Sequence, residues 1–111
     1  MESSNSRRQS ERFELTMPVA LTLYREGRRV AVTAEGHDVS KGGIRLSVTL
    51  MLQVGESFML EFVLPYTSTP IVVRGVVRNQ NGMSYGVEFL NPTPYQKQML
   101  ERNSKVLDLL K

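Results

Sequence analysis

Between Phe13 and Leu23 every second residue is apolar or sulfur-bearing: Phe13, Leu15, Met17, Val19, Leu21 and Leu23 alternate with Glu14, Thr16, Pro18, Ala20 and Thr22. A helix would scatter that set around its circumference, whereas a strand puts it on one side. The pattern therefore specifies a β-strand with one buried face. Pro18 has no amide to donate, which assigns this strand to an edge or a bulge. The period of two returns in Val30, Val32 and Ala34, in Ile44, Leu46 and Val48, in Phe58, Leu60, Phe62 and Leu64, and in Tyr85, Val87 and Phe89. A further strand is predicted from Ile71 to Arg78.

Turn chemistry separates these runs: "REGR" after the first, "QVGE" before Phe58, the proline-bounded "PYTSTP", and the Asn-Gly hairpin signal in "NQNGM". A chain of 111 residues is large enough for one modest core and too small for two. Six short antiparallel strands at this spacing predict a mainly β protein, a small closed barrel, because closure removes the unpaired edges of an open sheet. After Pro92 the period becomes helical. Thr93 with Gln96 is a capping-box pair, Pro94 occupies the first helical position, and Tyr95, Met99, Leu100, Val106, Leu107 and Leu110 form an apolar stripe predicted to cover one end or flank of the barrel.

Residues 1–12 contain no apolar residue after Met1 and cannot contribute to a core. The expected organisation is a flexible, arginine-containing arm over 1–12 and a barrel with its C-terminal helix over 13–111. Cysteine is absent and there is one histidine, so no disulfide, thiolate metal site or structural zinc is expected. No apolar run approaches the roughly 18 residues of a membrane span, and the N-terminus has no secretory signal pattern. A cytoplasmic location is the expectation. The formal charge of +3 permits an anionic partner without demanding one.

Between the second and third strands lies "GHDVSKGGIRL", with an acid, a hydroxyl and paired glycines in one bend. His37 is close in sequence to Asp38 and Ser40, but closeness in sequence is not a catalytic triad, and an enzyme is not expected. Neither standard Gly-rich phosphate loop occurs. As a plain turn, Asp38 or Ser40 can accept a hydrogen bond from an amide two residues on, and Gly42 or Gly43 can supply a positive φ. As a binding element, a carboxylate suits the N1 and N2 donors of guanine, while a guanidinium suits its O6/N7 edge, its flat face and its phosphates. Arg8 and Arg12, four apart on the apolar-free arm, could close on such a ligand.

These residues carry a family resemblance. "RQSER" supplies an R-x-x-x-R pair in Arg8 and Arg12 just before the first strand, and "DVSKGG" supplies a D-x-S-x-x-G turn in Asp38, Ser40 and Gly43. With "MPVALTL", "VGESFMLEFVLP", "VRGVVR" and "SYGVEF" in order, the chain resembles the PilZ domain, a bacterial receptor module for cyclic di-GMP. The resemblance implies a six-stranded antiparallel barrel with a C-terminal helix and with the ligand on its outer surface. It implies that Arg8 and Arg12 contact phosphates and the guanine O6/N7 edge, that Asp38 and Ser40 hydrogen-bond a guanine, and that Gly43 permits close approach of the base. Arg7 is a candidate third cation. Arg74 and Arg78 share a face of the fifth strand, an ordinary arrangement for solvent-facing charge.

The function so implied is a cytoplasmic bacterial adaptor that couples cyclic di-GMP binding to a protein partner or fused effector domain through ordering of the arm. No cofactor, metal or membrane insertion belongs to it. Two other readings remain open at this stage: an interaction adaptor of the same fold that binds no nucleotide, and a single-stranded nucleic-acid binder. The second wants exposed aromatic platforms, whereas Phe13, Phe58, Phe62 and Phe89 all fall on predicted core faces.

Overall fold

A computed structural model describes residues 16–65 and 67–109. Strands β1 (Met17–Arg25), β2 (Arg28–His37), β3 (Gly43–Ser47), β4 (Ser57–Val63), β5 (Pro70–Asn81) and β6 (Ser84–Leu90) close into an antiparallel barrel in the order β1-β2-β3-β6-β5-β4, followed by helix α1 (Pro94–Leu109). The alternation sets inside and outside. Val19, Leu21, Leu46, Leu60 and Val77 are fully shielded from solvent, and Phe62 stacks on Phe89 with ring centroids 6.0 Å apart. Burying one such side chain contributes roughly 1.5–3 kcal/mol, so the stripes read from the sequence drive closure. The predicted first strand is described only from Met17, and Phe13 and Leu15 lie outside the described residues.

The β1–β2 hairpin turns on Glu26 and Gly27, whose φ angles of 52° and 76° are the left-handed pair a two-residue turn needs. Such a turn is closed by a hydrogen-bonded pair, here Arg25 and Arg28, so Leu23–Val30 and Leu21–Val32 are hydrogen-bonded as well. In that phase the Pro18 nitrogen faces β4, and the β1–β4 ladder runs only from Ala20 to Thr22. Pro18 therefore occupies an unpaired stretch of edge, as its chemistry requires.

β5 is longer than the Ile71–Arg78 run. It continues to Asn81 through an irregularity between Val77 and Asn79, and Gly82, at φ 65°, and not Asn81, opens the turn into β6. Tyr85 plugs the barrel end near this turn: its hydroxyl accepts from the Leu52 amide at 3.1 Å and contacts Met51 Sδ at 3.8 Å.

At the opposite end, the start of β1, the β2–β3 turn, the end of β4 and the start of β5 come together by register, and α1 is tied there to β5 and to the turn. The capping box forms in both directions, Thr93 N donating to Gln96 Oε1 at 3.0 Å and Gln96 N donating to Thr93 Oγ1 at 3.1 Å. Gln96 Nε2 also donates to the Val72 carbonyl at 2.9 Å, fixing the first turn of α1 to β5. Met99 and Leu100 join the core cluster, and Asn103 is buried beside them. Tyr95 does not belong to the apolar stripe. It is 61% exposed, and in the first turn of α1 the contact to the barrel is made by its neighbour Gln96.

Candidate functional site

The turn Asp38–Gly42 sits at the helix-covered end, and its shape is fixed by short-range bonds. Ser40 Oγ accepts from Gly42 N at 3.2 Å, and Ser40 N donates to the Gly43 carbonyl at 2.9 Å. The Gly42 carbonyl accepts from Phe89 N at 2.9 Å, which moors the turn to β6. Val39 tucks partly into the core, while Asp38, Ser40, Lys41 and Gly42 stay exposed. The serine thus performs the turn role its spacing predicts.

The positive φ falls elsewhere than expected. Asp38 adopts φ 51°, whereas neither Gly42 nor Gly43 enters the left-handed region. Aspartate tolerates that region better than most residues, because its short carboxylate can bond locally. Glycine is required at position 43 for a different reason: β3 runs so close to β6 there that a Cβ would collide with the Val87 carbonyl oxygen. With Asp38 left-handed and exposed and Val39 partly buried beside it, the Asp38 carboxylate faces away from the core.

Outward-facing polar residues continue from the turn across the strands. His37 Nε2 lies 3.2 Å from Ser47 Oγ and 3.8 Å from Glu35 Oε1. Both contacts use the same ring nitrogen. In a catalytic triad the acid holds the nitrogen opposite the hydroxyl, so this trio lacks the geometry of one. Ser40, the hydroxyl nearest in sequence, is not its partner. Arg45 pairs across the ladder from His37 and donates to Ser84 Oγ at 3.0 Å and Asn79 Oδ1 at 3.4 Å. This cation beside the turn was not singled out from sequence. Its signal was present in the alternation, since Arg45 lies two residues after Gly43 and must share its outward face.

Arg78 binds Glu88 at 2.6 Å, and Glu88 stands opposite Gly43 in the β3–β6 ladder, so that arginine is one strand removed from the turn. Arg74 lies further along β5, opposite Leu90. Lys41 reaches Glu101 of α1 at 3.4 Å. Among the described residues no cluster of three or more histidine, cysteine or acidic side chains could hold a metal ion, and no helix is long and apolar enough to cross a membrane.

Of the predicted site residues, the structure brings Asp38, Ser40 and Gly43 together in one turn. Arg7, Arg8 and Arg12 lie outside the described residues. The start of the described chain bears on them nonetheless: Met17 pairs with Gly36, two residues before Asp38, so the N-terminal segment joins the barrel beside the turn.

The family model described as the PilZ domain matches residues 6–104, which spans both the arginine pair and the turn. No curated protein matches the chain at a significant level.

Proposed function

The chain belongs to the PilZ family, and we propose that it is a receptor for cyclic di-GMP in which the Asp38–Gly43 turn and the arginines Arg8 and Arg12 grip the ligand together. PilZ domains are generally cyclic di-GMP-binding modules, and both ligand-binding signatures are intact in this sequence. The observation that carries the reading is the register of Met17 with Gly36. It brings the start of the described chain beside the turn, and Arg12, four residues before Thr16, is within about 14 Å of chain from that threonine. An arginine side chain adds several ångströms of reach.

In this reading the turn is the rigid half of the site. Asp38 accepts from guanine N1 and N2, Ser40 adds a hydroxyl, and the missing side chain at Gly43 lets the base approach the sheet. Arg8 and Arg12 supply cations for the phosphates and for the O6/N7 edge, with Arg7 as a third. Ordering five or so arm residues costs on the order of 1–2 kcal/mol each, while charge-assisted hydrogen bonds contribute about 1.5–3 kcal/mol apiece. Moderate net affinity follows. Because the ligand favours the ordered arm, any protein partner or fused effector that senses the arm is coupled to it by linkage.

Isothermal titration with cyclic di-GMP, controlled with GTP and cyclic GMP, tests the assignment. Saturable binding of the cyclic dinucleotide alone is expected, and no heat at millimolar ligand would remove it. The adaptor reading without nucleotide predicts that second outcome. For the nucleic-acid reading, burial of Phe58, Phe62 and Phe89 leaves Tyr24 and Tyr95 as the exposed aromatic rings among the described residues. A salt titration separates it, since a diphosphate ligand gives a slope of about one to two and an extended strand a steeper one.

A further inference from the structure

The barrel is closed, but its seam between β2 and β3 is short. Only Glu35, Gly36 and His37 pair with β3, opposite Ser47, Leu46 and Arg45. Past Ser47 the chain leaves β2, and Val48 N donates instead to the Met83 carbonyl at 3.2 Å. An open groove remains where the two part, lined by Thr33, Glu35, Ser47, Thr49 and Met83.

The first half of β2 is therefore bonded to β1 on one side only. The phase of the hairpin decides which groups are left over. With Leu23–Val30 and Leu21–Val32 hydrogen-bonded, the main-chain N–H and C=O of Arg29, Ala31 and Thr33 point away from β1. Among the described residues none of them has a main-chain partner. Proteins usually blunt such an edge with a proline or a bulge. β1 has Pro18 on its own open stretch, whereas β2 has neither along Arg28–Thr33 and pairs with β1 without a register shift.

We propose that this edge is a self-association surface, and that two copies of the chain pair β2 with β2 antiparallel about a two-fold axis at Ala31. That register is the one in which all three free positions find a mate: Ala31 opposes its own copy, and Arg29 opposes Thr33 in both directions. Val30 then faces Val32 across the new ladder, extending the half-buried apolar stripe that both residues make against the core. The charges are arranged for the same pairing. β2 has Arg28 and Arg29 at one end and Glu35 at the other. An antiparallel copy sets Arg29 diagonal to the partner copy's Glu35, at the roughly 7–8 Å between Cβ atoms that long side chains span. No like charges stand opposite one another. The contact is isologous and closes at two copies. Each Asp38 turn lies seven residues from the axis, about 23 Å at strand rise, so the two turns stay apart and open.

Light scattering of the full chain over a concentration series tests the proposal. The wild type is expected to shift from monomer to dimer mass. Ala31→Pro removes an edge N–H without touching the β1 ladder, and it should hold the protein monomeric. Arg29→Glu and Glu35→Arg should each raise the dissociation constant about tenfold or more, and the double exchange should restore it. Circular dichroism and cyclic di-GMP titration of the same variants report folding and the nucleotide site separately, so a loss of dimer is not mistaken for a loss of fold. A wild type that stays monomeric at every attainable concentration overturns the proposal, as does a dimer indifferent to both Ala31→Pro and the charge exchange. Protection of the β2 amides from hydrogen exchange only when a different protein is added would assign the edge to a heterologous strand and overturn self-pairing.

Discussion

Gly43 lies against the main chain of Val87 with no space for a methyl group between them, and the next hydrogen bond along, Phe89 N to the Gly42 carbonyl, holds the two strands at that distance. The glycine of the binding signature is thus first a packing requirement of the β3–β6 ladder. In the proposed site the same missing side chain would let a base approach the sheet.

Gly43→Ala is expected to destabilise the fold by about 1–3 kcal/mol, the usual cost of forcing an atom into a filled space, because the obstacle is backbone and not a flexible side-chain tip. Urea denaturation measures this, and an unchanged midpoint would show that β3 can withdraw from β6 freely. Cyclic di-GMP affinity should fall in the same variant.

Asp38 gives a cleaner separation of stability from binding. Its φ of 51° suits glycine or asparagine as well as aspartate. Asp38→Gly and Asp38→Asn should melt within a few degrees of the parent, yet lose about 1.5 kcal/mol or more of cyclic di-GMP binding, because the charged acceptor is gone. Equal affinity in both variants by calorimetry would take the carboxylate out of the site.

Arg8→Ala and Arg12→Ala should each weaken cyclic di-GMP binding by at least about 1.5 kcal/mol and leave the melting temperature nearly unchanged, since nothing apolar accompanies them in residues 2–12. Hydrogen exchange adds the mechanistic part: amides of the 7–12 segment should gain protection at saturating ligand. Titration curves that overlay the parent would return the nucleotide contacts to other residues.

Tyr85→Phe tests the far end of the barrel. It strands the buried Leu52 amide, which the tyrosine hydroxyl now accepts. An unsatisfied buried donor costs about 1–3 kcal/mol. The melting temperature should drop while cyclic di-GMP affinity, measured well below the transition, stays at the parent value. A parallel loss of affinity would mean that the two ends of the barrel are not independent.

Most of the architecture was legible because barrel strands obey a period of two, and Val19, Leu46, Leu60 and Val87 could be placed inside by counting alone. The capping box at Thr93 and Gln96 was equally readable, being local chemistry. What counting could not supply was anything decided by a neighbour distant in sequence. The positive φ at Asp38 looked as though it belonged to a glycine, because the close approach of Val87, which claims Gly43 for another purpose, is a contact between residues far apart in the chain. Arg45 was hidden for a similar reason, since its partners Ser84 and Asn79 come from β6 and β5. Tyr95 fitted the helical stripe by spacing but is exposed, because the first turn of α1 meets β5 through the neighbouring Gln96.

The Glu26–Gly27 turn, at the end of the barrel away from Asp38, fixes the phase of everything that follows it. With a side-chain period of two, one residue inserted there would swap the two faces of β2, turning Val30, Val32 and Ala34 to water and Arg29 and Glu35 toward the core. The acidic corner would then be presented from the wrong side of the sheet. Its aim is set some ten residues upstream, by a pair of left-handed backbone angles at the other end of the barrel.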